Sequence, residues 1–253
     1  MLSSEIYKRS QEGEKLWGIL IDPDKISIDQ LSDFVIMANR SSCDYILVGG
    51  SLINHNFFQT YLKIIHELSS KKVILFPGNN QQISSQADAI LLLSLISGRN
   101  PDLLIGQHVK TAFKLQKSNL EILPCGYMLI ESDSITSAIY MSESLPIPKH
   151  KHDIAAATAL AGVQLGLKFI YMDTGSGSID PISSKMISTV KKTTKVPLFV
   201  GGGVKSQEQM IDCWKAGADI VIVGNYIENN FQKMYDFNNC LLYTSDAADE
   251  GHC

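Results

Sequence analysis

Four short runs carry groups whose types and spacing suit chemistry. In IDPDK (21–25) the carboxylates of Asp22 and Asp24 flank a proline, and Lys25 follows. Mg²⁺ is commonly held by one or two carboxylates together with phosphate oxygens, so Asp22 suits a metal–diphosphate; a plain turn into a helix cap explains the run as well. In VGGS (48–51) Gly49 and Gly50 free the backbone to approach a ligand. Ser51 then offers a hydroxyl to a metal or phosphate, or caps a helix. YMDTGSGS (171–178) is the most specific run: Tyr171 and Asp173 share one side of a strand end, and a Gly-Ser-Gly-Ser loop follows. Such a loop cradles a phosphate through N–H and hydroxyl donors, and a carboxylate at its edge suits a general base for an adjacent alcohol. A structural turn with a capping aspartate is the plainer alternative. Finally, PLFVGGGV (197–204) and DIVIVGNY (219–226) are apolar, β-branched runs that stop on glycine one strand–helix unit apart. Parallel strands ending this way gather bare backbone N–H groups around one point, where a phosphate can sit.

These runs need a scaffold that brings their ends to one place. Apolar strand-like runs occur at 16–21, 45–49, 73–76, 89–93, 126–130, 168–172, 198–200 and 220–223. Helical patterns fall at about 27–40, 56–69, 103–117, 153–165, 181–193, 206–216 and 225–236. Strands apolar on both faces belong to a buried parallel sheet. Eight of them in 253 residues predict an α/β fold, a (β/α)8 TIM barrel, whose active site lies at the C-terminal strand ends. The connection 77–88, PGNNQQISSQAD, is too short and polar for a good helix. The ring is therefore expected to lack a regular helix between strands 3 and 4, leaving a flexible loop beside the site. Residues 1–237 read as one domain, and 238–253 as an aberrant or disordered tail foreign to it.

Composition narrows the function. A net charge of −4 carries no footprint for nucleic acid. The first residues, MLSSEIYKRSQEGEKLW, hold acidic side chains and no apolar run, so they do not read as a signal peptide. ILLLSLI (90–96) is the longest greasy segment, well short of the roughly 18 residues of a membrane span. A cytoplasmic protein is expected. Five scattered cysteines without CxxC spacing read as reduced thiols. His150 and His152 lack a third partner at metal-ligand spacing and read as a solvated loop.

IDPDK, YILVGGS, FPGN, YMDTGSG, FVGGGV and VGN, in this order and spacing over residues 10–237, resemble the geranylgeranylglyceryl phosphate synthase family, which includes the PcrB-type prenyltransferases. The resemblance implies a Mg²⁺-dependent prenyltransferase. Such an enzyme joins the 3-hydroxyl of sn-glycerol 1-phosphate to geranylgeranyl diphosphate and releases diphosphate, in phospholipid biosynthesis. The implied metal positions are Asp22 and Ser51. The implied glycerol-phosphate loop is Tyr171, Met172, Asp173, Thr174, Gly175, Ser176 and Gly177, with further donors at Gly202, Gly203, Gly224 and Asn225. Asp173 would take the hydroxyl proton, and Lys25 would add charge at the leaving diphosphate. The family usually has glutamate where this chain has Asp173, one methylene shorter. The GSG loop looks like the group with many bacterial members, which implies a homo-oligomer. Tyr127, Tyr171 and the 77–88 region are expected beside the prenyl tail, and membrane contact is expected only at product release. The alternatives are a PcrB-like enzyme with a longer, heptaprenyl donor, a phosphosugar isomerase or aldolase on the same glycine site, and a non-catalytic phosphate- or lipid-binding barrel. Lys168 opens its strand rather than closing it, against a Schiff-base aldolase.

Overall fold

Alternation along eight apolar strands divides the interior into two cores. The computed structural model describes residues 1–53 and 57–238. The strands are β1 (Leu16–Ile21), β2 (Tyr45–Val48), β3 (Lys72–Leu75), β4 (Ala89–Leu95), β5 (Glu121–Leu129), β6 (Phe169–Asp173), β7 (Leu198–Gly201) and β8 (Ile220–Val223). All pair in parallel and in order, and β8 pairs back with β1 to close the barrel. Every second side chain points inward: Tyr45 and Leu47, Phe169 and Tyr171, Ile220 and Ile222 fill the barrel. Their neighbours Ile46, Val48, Ile170, Met172 and Val221 face the helices. Gly18 sits where an inward Cβ would press on Leu47 and Ile222.

Helices α2 (Ile28–Arg40), α3 (Phe58–Leu68), α4 (Gln107–Lys117), α5 (Ser137–Ser142), α6 (His152–Gln164), α7 (Ser184–Thr194), α8 (Gln207–Ala216) and α9 (Asn225–Glu228) follow the strands. Before β1 lies α1 (Leu2–Gln11), which the strand–helix alternation did not reveal. Its Leu2 and Ile6 are buried with the inward residues of the barrel, and the carboxylate of Glu121 accepts from the N–H groups of Leu2 and Ser3 at 2.5 and 2.8 Å. That end of the barrel is thereby plugged, and the C-terminal mouth stays open.

Three expected boundaries shift, each for a local reason. β5 begins at Glu121 rather than at 126 and runs through Pro124. The Pro124 carbonyl faces β6, accepting from Lys168 N–H, and the β5–β6 register starts one residue later, at Cys125 and Phe169. The missing N–H of proline therefore falls outside the ladder. The helix expected at 225–236 divides into α9 and a 3-10 turn, Phe231–Phe237. There Asn230 turns its side chain to accept from Gln232 N–H, an asparagine competing with the helix for backbone partners. Third, the 103–117 helix opens with a wide π turn, Asp102–Gly106.

Between β3 and β4 no helix forms among the described residues, as the polar connection predicts. The loop is tied down rather than left loose. Gln82, only 2% exposed, donates to the Gly50 carbonyl at 2.9 Å and accepts from Gly78 N–H at 3.1 Å. Of the expected tail, 238–253, Asn238 is held to the domain, its Oδ1 accepting from Ser42 N–H at 2.8 Å, and 239–253 lie outside the described residues.

Candidate active site

The inward series Phe169, Tyr171, Asp173 climbs β6 and places a carboxylate at the open mouth of the barrel. Asp173 is 8% exposed. Its Oδ2 accepts from the Tyr127 hydroxyl at 2.7 Å and its Oδ1 from Gly175 N–H at 2.7 Å. Each carboxylate oxygen has a second lone pair, and the side chain lines the cavity at the mouth. Burial raises the Asp173 pKa, and the two hydrogen bonds oppose the rise by favouring the charged form. Tyr127 and Tyr171 are themselves held neutral by burial, their pKa values pushed well up. With Phe76 and Phe199 they make an aromatic floor: Tyr171 stacks on Phe199 at 5.7 Å, and Phe76 lies 5.0 Å from Tyr171 and 5.8 Å from Tyr127.

Beside this floor, the ends of β6, β7 and β8 form one concave surface lined by Gly175, Gly177, Gly202, Gly203, Gly224 and Asn225. Gly202 and Gly203 both have positive φ, +85° and +73°. A Cβ on Gly203 would collide with the Asp180 carbonyl, and one on Gly202 with Thr174 Oγ1. The close-packed backbone thus admits only glycine, which leaves N–H groups bare for an anion. Ser176 Oγ donates to Asn225 Oδ1 at 2.7 Å, joining the β6 and β8 loops.

Opposite, the β1 turn brings Asp22 against the β2 end. A Cβ on Gly50 would touch the Asp22 carboxylate, so the glycine lets this group stand beside Ser51, and both line the same cavity. Burial, first, raises the Asp22 pKa, while the Asp24 N–H and Lys25 lower it. The donor set is one part-buried carboxylate and one hydroxyl, both hard oxygens. Among the described residues no three His, Cys, Asp or Glu side chains gather as a metal cluster. The pair fits a Mg²⁺ that takes its other ligands from water and phosphate oxygens.

Lys25 bridges the two halves of the site. Its Nζ lies 3.0 Å from Ser176 Oγ, 3.2 Å from Asn225 Oδ1, 2.9 Å from Glu228 Oε2 and 3.9 Å from Asp22 Oδ2. Glu228 was not foreseen. Its side chain is 4% exposed, and its Oε1 accepts from Asp22 N–H at 2.9 Å, which fixes the β1 turn. Its one sequence signal is a carboxylate one helical turn beyond Gly224. Also unforeseen was the Tyr127 hydrogen bond to Asp173. Two expected loop residues stand apart. The Met172 side chain faces the helix layer, because strand alternation turns it away from Tyr171 and Asp173. Thr174 is buried behind Gly202 with its hydroxyl unpartnered.

A second, apolar cavity opens from the same mouth and shares Gly50, Ser51, Phe76, Tyr127 and Ala138 with the first. It runs between the outward side chains Ile90 and Leu92 of β4 and the inner face of α4, past Gln107 and Thr111 to Leu115. This is the space a helix after β3 would occupy. The α4 wall from Gln107 to Leu115 is alone roughly 12 Å long.

Fold and site together define a (β/α)8 barrel enzyme scaffold, with an apolar groove leaving the mouth beside a glycine-lined concave surface. The model of the PcrB family matches residues 10–239, and the chain belongs to that family. It is 49% identical over 224 residues, 88% of this chain and 89% of the other, to the geranylgeranylglyceryl phosphate synthase of Spirosoma linguale. It is 41% identical, covering 86% of each chain, to that of Pyrococcus furiosus. A crystal structure of (S)-3-O-geranylgeranylglyceryl phosphate synthase from Thermoplasma acidophilum, in complex with its substrate sn-glycerol-1-phosphate, superposes with a TM-score of 0.88 at 27% identity. The match covers 95% of this chain and 98% of that one.

Proposed function

We propose that this protein is a prenyltransferase that joins sn-glycerol 1-phosphate to geranylgeranyl diphosphate through an ether bond. The observation that carries the reading is one barrel mouth shared by an anion cradle, a buried carboxylate at its edge and an apolar groove. A small phosphorylated alcohol suits the first two, and a long hydrocarbon tail suits the third. The relatives' names support the C20 donor over a heptaprenyl one. The glycine cradle alone would equally suit an isomerase, but the groove has no use in that chemistry.

In this reading the N–H groups around Gly177, Gly202, Gly203 and Gly224 hold the glycerol phosphate, with Ser176 and Asn225 completing the rim, while the Gly175 N–H stays on Asp173. The 3-hydroxyl then points at Asp173. The allylic C–O bond of the donor breaks and its electron pair leaves with diphosphate. The hydroxyl oxygen bonds the allylic carbon, and Asp173 takes the proton. Tyr127 and Gly175 N–H keep this carboxylate charged and aimed, while Tyr171 and Phe76 exclude water from the reacting carbon. Lys25, held by Glu228, adds positive charge between the two substrate sites. Asp22 and Ser51 would hold Mg²⁺, which supplies charge neutralisation for the departing diphosphate. Holding two substrates in one orientation is a large part of the rate gain in such a reaction.

The reading sets the reaction in the cytoplasm, with membrane contact at product release; no described helix is long and apolar enough to cross a membrane. A product assay with labelled sn-glycerol 1-phosphate and prenyl diphosphates of increasing length tests it. Ether product with the C20 donor is expected. Product only with much longer donors transfers the reading to the heptaprenyl enzyme, and no product with any donor removes the prenyltransferase.

A further inference from the structure

The concave glycine surface also carries two lysines, which reach it from different elements. Lys205 directly follows the Gly-Gly-Gly-Val end of β7, and Lys233 stands on the 3-10 turn after α9. Both line the surface with Gly202, Gly203 and Gly224. Each Nζ is held by a neutral group. Lys205 Nζ donates to the Ile179 carbonyl at 2.9 Å, and Lys233 Nζ sits over the Tyr226 ring, 4.1 Å from its centroid. Lys25 and Lys191, by contrast, face carboxylates, those of Glu228 and Asp219. Among the described residues neither Lys205 nor Lys233 has such a partner.

Charge balance at the mouth gives these two a use. In the neighbouring cavity, Asp22, Asp173 and Glu228 set three carboxylates against the single ammonium of Lys25. A phosphate monoester brings a further charge of about −1.5 to −2 near pH 7. Glycine N–H groups offer it only partial charges, and Lys25 is already held by Glu228 at 2.9 Å. Asp22 and Ser51, the pair that fits Mg²⁺, line that neighbouring cavity and not the concave surface. Among the described residues, Lys205 and Lys233 are the charged side chains that line the surface itself. A lysine ammonium is a compact charge on a flexible stem, free to exchange a neutral partner for an anionic oxygen.

We propose, on the glycerol phosphate reading of this surface, that Lys205 and Lys233 supply the counter-charge that selects a phosphate dianion over a neutral polyol. Each turns from its neutral partner to a phosphate oxygen as the substrate binds. Neither lines the cavity that holds Asp173, so they set substrate affinity and take no part in proton transfer.

Calorimetric titration of the full chain with sn-glycerol 1-phosphate, and separately with inorganic phosphate, tests this without prenyl transfer. Lys205→Met and Lys233→Met are each expected to weaken binding of both ligands about tenfold, the order of a hydrogen bond to a charged group, with the circular dichroism spectrum unchanged. Lys205→Arg and Lys233→Arg keep the charge and should stay within about threefold of the unaltered protein. Raising KCl from about 50 to about 500 mM should weaken binding to the unaltered protein several-fold, and to the double methionine variant far less, because salt screens exposed charges. In turnover the loss should fall on KM for sn-glycerol 1-phosphate rather than on kcat. Methionine variants that bind both ligands as the unaltered protein does overturn the assignment and leave the glycerol phosphate reading in place. So do arginine variants that lose as much as the methionine ones with the salt dependence unchanged. An unaltered protein that binds neither ligand overturns that reading and the assignment with it.

Discussion

Replacing Tyr127 by phenylalanine removes one oxygen and leaves the ring among Phe76 and Tyr171. The lost hydroxyl donates to Asp173 Oδ2 at 2.7 Å, a short bond to a charged acceptor. Bonds of that kind contribute about 1.5–3 kcal/mol. Burial raises the Asp173 pKa and this bond is the first influence opposing the rise, so its loss pushes the pKa further up. As pH falls through that raised pKa, the carboxylate takes up a proton and can no longer accept one from the substrate. The acid limb of kcat/KM should therefore move to higher pH in Tyr127→Phe. On that limb, activity should fall roughly 10- to 100-fold at 1.36 kcal/mol per tenfold, and recover toward the plateau at alkaline pH. The assay is kcat/KM for sn-glycerol 1-phosphate across the acid and neutral range, for both proteins. A limb that stays put or moves to lower pH refutes the argument. An equal loss at every pH would assign Tyr127 to shaping the floor rather than to tuning the base.

Three further outcomes follow from the same geometry. Chelation of divalent ions, or Asp22→Ala, should abolish product formation while calorimetric binding of sn-glycerol 1-phosphate stays within a few-fold; loss of that binding would put Asp22 in the wrong half of the site. Gly203→Ala forces a side chain into positive φ against the Asp180 carbonyl. It should cost about 1–3 kcal/mol, several degrees in Tm, and weaken glycerol phosphate binding at least tenfold by calorimetry. Thr111→Trp fills the groove beneath α4. It should raise KM for a C20 donor roughly tenfold or more while a C10 donor is still used, and unchanged donor kinetics would place the tail elsewhere.

The barrel was legible because its strands are apolar on both faces, a signal that survives without knowledge of pairing. The inward position of Asp173 was legible for the same reason, since Tyr171 and Asp173 sit two apart before a glycine loop. Alternation also removes the Met172 side chain from the site, a consequence available in the sequence once the strand was assigned. What stayed hidden depends on contacts between distant segments. Glu228 meets Asp22 and Lys25 only after the barrel closes, and Tyr127 meets Asp173 only through the β5–β6 register. α1 shows its purpose only as a plug, and Pro124 fits inside a strand only because β6 begins one residue later. The groove was half legible: the missing helix after β3 could be foreseen, but its walls on β4 and α4 could not.

A single reaction tests the proposed activity and its base together: purified protein, sn-glycerol 1-phosphate, geranylgeranyl diphosphate and Mg²⁺, with the lipid product identified by mass spectrometry and diphosphate counted, alongside Asp173→Asn. The expected outcome is the geranylgeranyl ether of glycerol phosphate with one diphosphate released per ether, and a rate about 10²- to 10⁴-fold lower in the variant, as loss of a general base costs. A folded protein that forms no ether, or an Asp173→Asn variant with full turnover, would contradict it.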